Sequence, residues 1–172
     1  MKRRIVMFLL VFAVFFLQST IFQTLSIASI TPNLMLVLTV SFALMRGKKE
    51  GMFVGFLSGF LTDLFFGSGL GFYTLIYTYI GFFNGFCCRI FYDDDIKMPI
   101  LLVVGSDLAF NLLVYCFRFL LRGRTEFFFY LGRIMIPEII YTVILTILCY
   151  RLLLRLNRKL EKAEQRSVDS FV

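Results

Sequence analysis

The chain has 172 residues, of which 59% are hydrophobic and 17% charged, and its mean hydropathy is +0.85. Average soluble domains are roughly 45–50% apolar and about 25% charged, so the polar residues needed to coat a water-facing surface are missing and lipid is the expected solvent. The net charge of +7 does not point to nucleic acid, because the basic residues form short clusters between apolar runs.

A helix needs about 20 apolar residues to cross about 30 Å of hydrocarbon, and six stretches read as spans. The first, 5–23, follows the basic start Lys2-Arg3-Arg4. Its apolar run is too long for a signal peptide. The nearest cleavage candidate, Ser26-Ile27-Ala28, is followed by more apolar sequence, so the span is read as uncleaved. The second span is 29–45, with Pro32 near its start, and the third is 51–66. Both are short, which calls for a bend or a locally thinned bilayer. A four-span chain with this region re-entrant is the alternative. The fourth span is 72–90, the fifth 99–121 and the sixth 134–154, with a charged tail over 155–172. Asp93-Asp94-Asp95 precedes the proline-started fifth helix and reads as capping rather than a metal site. The expected fold class is an all-α integral membrane protein, a single polytopic domain of six transmembrane helices.

With the N-terminus in the cytoplasm, 14 of the 18 basic residues fall inside, and Arg118, Arg122, Arg124 and Arg133 remain outside. That asymmetry places both termini in the cytoplasm. The stretch 126–130 in the last external loop is expected to lie in the outer interface. The basic residues after the sixth span read as a topology anchor touching lipid headgroups.

Gly51, Gly55 and Gly59 recur at intervals of four, and Asp63 follows at the same interval. On a helix these stack on one face, and small residues let helix backbones approach closely in lipid. Gly81 and Gly85 repeat the spacing in the fourth span, and Gly105 and Ala109 in the fifth. The stripe serves either packing within the chain or contact with a partner helix. Asp63, Asp107 and Glu138 are carboxylates within spans, where charges face the bundle interior or a partner. Asp63 and Glu138 share the outer half with Arg118 and Arg133, so neutralising pairs are expected between the two sets. Asp107 has Asn111 a turn away and Tyr115 a turn beyond, and Asn84 is another polar residue at depth. These line a small-molecule cavity or make hydrogen bonds between helices.

There is no His, so the commonest base and metal ligand is missing. Asp63 and Asp107 lie at different depths, which argues against paired-carboxylate chemistry. The four Cys fall in apolar runs without ligand spacing. No enzyme, metal or cofactor is expected.

Gly55-Phe56-Leu57-Ser58-Gly59-Phe60-Leu61-Thr62-Asp63, continuing to Gly67 and Gly71, resembles the signature of the MreD family of bacterial rod-shape-determining membrane proteins. Pro32-Asn33-Leu34 resembles the opening of that family's second span. Arg46-Gly47-Lys48-Lys49-Glu50-Gly51 resembles its turn before the glycine span, and Arg133-x-x-x-Pro137 its last span. The resemblance runs over about 5–154. It implies a fold similar to the substrate-binding subunits of energy-coupling-factor transporters. It also implies a scaffold role in the bacterial cytoplasmic membrane, with MreC, MreB filaments and the peptidoglycan synthases as partners and self-association left open. Asp63 matches the family's characteristic aspartate, with no catalytic role implied. The rival is a vitamin-binding transporter subunit of that same fold. Its Ala-x-x-x-Ala docking face is missing, since Leu17 follows Ala13 at that interval.

Overall fold

In the computed structural model, residues 2–22, 31–67, 71–89, 97–118 and 130–169 are described, the last eleven of them as backbone only. The expected cleavage candidate at 26–28, the acidic cluster at 93–95, Arg122, Arg124 and the side chain of Arg118 lie outside the described residues. The described residues are helical apart from short connections. Helix α1, Lys2–Leu17, runs into a π-helical turn, Gln18–Phe22. Then come α2 (Leu34–Arg46), α3 (Lys48–Phe66), α4 (Phe72–Phe86, closed by a 3-10 turn at Cys87–Arg89) and α5 (Lys97–Arg118). A second π-helical turn, Leu131–Met135, opens α6, Ile136–Asp169.

Two stretches, Lys97–Phe117 and Leu131–Arg158, are long and apolar enough to cross a membrane. Arg4–Thr20 and Leu34–Arg46 are shorter apolar helices. The outer surface supports a lipid environment independently. Ile5, Leu9 and Phe16, then Phe56, Phe60 and Leu64, then Ile140, Ile144 and Leu148 are all exposed large apolar side chains at helical spacing. A monomer in water rarely shows apolar faces on this scale.

Helix α2 is the axis of the molecule. It touches α1, α3, α4, α5 and α6, and every residue from Leu34 to Leu44 is buried. A helix that is apolar all round belongs in a core. Its 13 residues rise about 20 Å, short of the hydrocarbon thickness. It starts at Leu34 because Thr31, Pro32 and Asn33 precede it outside the helix, with Asn33 as its N-cap. Around it pack Met7, Val11 and Phe15 of α1, Val54 and Leu61 of α3, Tyr73, Ile76, Tyr77 and Ile80 of α4, and Val103, Phe110 and Val114 of α5.

One residue, Gly47, separates α2 from α3. Its φ of +87° lies where L side chains are strained, which lets the chain reverse within the Arg46-to-Gly51 turn. At that end Lys48 Nζ sits 3.2 Å from the centroid of the Phe86 ring, a cation–π contact.

Candidate functional site

Helices α3 and α4 form an antiparallel pair whose seam is backbone against backbone. A Cβ on Gly55 would stand 2.3 Å from Tyr77 O, and one on Gly59 2.4 Å from Thr74 Cα. On Gly51 it would meet Gly81 O at 2.6 Å, and on Gly81 it would meet Gly51 O at 2.2 Å. On Gly85 it would meet Lys48 Cα at 2.5 Å. Contacts this close exist only because the glycine at each point carries no side chain against the facing backbone. The glycine face is therefore occupied by α4, and by Ala43 and Thr39 of α2. The expected extension of the stripe to α5 fails. Gly105 has nothing within 4 Å of an added Cβ, and both Gly105 and Ala109 are exposed, because α5 meets its neighbours through the Val103–Phe110–Val114 face instead.

Asp63 closes the end of this seam where α4 begins. It is 3% exposed. Its Oδ1 accepts from Tyr73 N at 3.0 Å, and its Oδ2 accepts from Gly71 N at 3.0 Å, Thr74 N at 2.8 Å and Thr74 Oγ1 at 2.6 Å. The first N–H groups of α4 have no partner within their own helix, and a carboxylate there also meets the positive end of the helix dipole. Asp63 is thus held by capping α4, and the side chain of Arg118, one of its expected partners, lies outside the described residues. Arg133 is exposed rather than buried. Of the 126–130 stretch only Tyr130 is described. It is buried, its ring 5.2 Å from that of Tyr115.

A second polar group lies where α2 begins. Asn33 Oδ1 accepts from Leu36 N at 3.1 Å, capping α2, and from the Tyr77 hydroxyl at 2.7 Å. Asn33 N donates to Thr142 Oγ1 of α6 at 3.3 Å. Gln18 Oε1 accepts from Met35 N at 3.0 Å. Away from water these groups are served by side chains from the π-helical turn after α1, from α4 and from α6. Behind Asn33 stand Asp107 and Asn111 of α5, 0% and 2% exposed, and Glu138 of α6, half-buried. Asn111 Nδ2 donates to Asp107 O at 3.1 Å. Towards the other end, Asn84 Nδ2 donates to Ser106 Oγ at 2.8 Å and to Ile80 O at 2.8 Å, and Arg46 Nε donates to Asn157 Oδ1.

Sequence reading did not single out Asn33, Tyr77, Thr142 or Gln18 as site residues. The available signal was Asn33 itself, a good N-cap residue placed directly before an apolar run.

Among the described residues no group of three or more Cys, Asp or Glu is placed to hold a metal ion. Asp63, Asn33, Gln18, Asn84 and Arg46 spend hydrogen bonds on joining or capping elements, whereas Asn111 bonds within α5. A family model described as rod shape-determining protein MreD matches residues 1–160 of the chain. No curated protein and no solved structure matches it.

Proposed function

We propose that this chain, which belongs to the MreD family of rod shape-determining proteins, is a membrane scaffold subunit of the bacterial cell-elongation machinery. Family membership makes it a membrane protein of cell-shape determination. The finer reading is a six-span protein of the cytoplasmic membrane with both termini in the cytoplasm. It would act beside MreC and couple MreB filaments to the peptidoglycan synthases. The role needs no catalytic residue.

The family match over residues 1–160 carries the reading. Two features support it. The α3–α4 seam is packed backbone against backbone, and such a pair with apolar outward faces suits a subunit that positions others in lipid. The basic residues gather at one end of the helices by the span reading, as a fixed orientation requires.

The test is replacement of the chromosomal gene by variants in the host bacterium. Photo-cross-linking residues would be placed at the outward positions Phe60 and Leu75, both exposed. Loss of the gene should round the cells, and MreC should be captured from at least one outward face. Normal cell width without the gene, or no MreC capture from any outward position, would remove the proposed role.

A further inference from the structure

Asp107 and Glu138 stand where α5 and α6 meet, behind the start of α2. Asp107 is fully enclosed at 0% exposure, and neither of its carboxylate oxygens receives a hydrogen bond from the described residues. Thr142 is the hydroxyl beside it, but the Thr142 proton goes to Glu138 O at 2.8 Å. A lone pair of that hydroxyl already takes Asn33 N at 3.3 Å. Glu138 lies within reach of the Asp107 charge and of the Asn111 side chain.

The groups facing the pair can be named helix by helix. From α4 comes Tyr77, whose hydroxyl is already given to Asn33. From α2 comes the uncharged Asn33. Asp63, the other enclosed carboxylate, contrasts sharply, since its oxygens take four hydrogen bonds.

An enclosed carboxylate beside a half-buried one is repelled by it, and a charge away from water is costly to hold. Side chains at such depth meet the cost by taking up a positive charge. The neighbours of the pair, Thr142 and Asn111, add hydroxyl and amide oxygens to the carboxylates, and oxygen is the ligand type that suits a small hard cation. We propose that Asp107 and Glu138 bind one small monovalent cation, a proton or a sodium ion, and share its charge across the α5–α6 contact. This goes beyond the scaffold reading. Occupancy ties the packing of α5 on α6, and through Thr142 and Asn33 the start of α2, to the cation supply at the membrane.

The test uses the full chain in lipid nanodiscs, in two arms. In the first, radioactive sodium is equilibrated with the protein at constant pH, with a bulky organic cation holding ionic strength. In the second, sodium-free protein is followed by infrared difference spectroscopy for the C=O band of a neutral carboxyl across the neutral pH range. The expected result is one of two signals. Either sodium binds at one per chain and binding is lost in Asp107→Asn, or a neutral-carboxyl band is present and vanishes in Asp107→Asn. Glu138→Gln should weaken whichever signal appears, and it carries the comparison if Asp107→Asn loses its helical circular dichroism. Wild-type protein showing neither signal, or folded variants retaining it in full, would overturn the proposal.

Discussion

At the scale of single residues, a side chain's value in this protein depends on how many donors or acceptors it satisfies away from water. Asp63 is the clearest case, because one carboxylate serves three backbone N–H groups and a hydroxyl at the start of α4. Asp63→Asn keeps the volume but turns one acceptor oxygen into an NH2 that faces N–H donors. Leaving such groups unsatisfied costs about 1–3 kcal/mol, so the thermal midpoint of the purified protein in detergent should fall clearly. An unchanged midpoint would show that the cap contributes nothing. The Asn33–Tyr77 bond is smaller in scale. Tyr77→Phe removes one donor and should cost about 0.5–1.5 kcal/mol. Asn33→Ala also removes the α2 cap and should cost more, the cap alone being worth about 0.5–2 kcal/mol. In a double-mutant cycle the two changes should be less than additive, and strict additivity would mean that the hydroxyl and the amide do not interact.

At the scale of helices, the α3–α4 pair is defined by what is missing from it. Gly55→Ala adds a methyl where the backbone carbonyl of Tyr77 would be 2.3 Å away, and a backbone cannot turn aside as a flexible side chain can. Overpacking costs about 1–3 kcal/mol, and Gly81→Ala should behave alike from the opposite helix. Both variants should still insert, since neither makes a span less apolar. Cells carrying them should widen or round. Phe60→Leu, on the exposed face of the same helix, is the control and should leave width unchanged. Wild-type width in both glycine variants would show that the seam tolerates separation. Gly105→Ala makes the complementary case, because nothing lies near an added Cβ there, and its stability should match the wild type or exceed it slightly through helix propensity.

At the scale of the molecule, five helices surround one short one, and α2 gains its burial from neighbours rather than from lipid. Its N-terminal end is tied to α4 and α6 through Asn33, and its other end to α6 through Arg46 and Asn157. The six-span topology makes a direct prediction. A reporter fused after Val172 should be active in its cytoplasmic form and silent in its periplasmic form, because 14 of the 18 basic residues then lie inside. Periplasmic activity would reverse or renumber the spans.

Composition alone determined that this chain lives in lipid and is helical, because no other solvent suits 59% hydrophobic residues and few other structures satisfy a backbone there. The four-residue spacing of Gly51, Gly55 and Gly59 determined that one face of α3 would be smooth, and the run from Gly55 to Asp63 carried the family resemblance. The partner of that face was decided only by the fold. So were the central position of α2, the capping role of Asp63 and the enclosure of Asp107. The reason is physical. In water, an apolar stripe marks the inward face of a helix. Here both the core and the surroundings are apolar, so periodicity that names a face does not say which way it turns. The polar contacts that settle the question join residues far apart in the chain, as Asn33 and Thr142 are, 109 positions away from each other, and no local pattern encodes such a pairing.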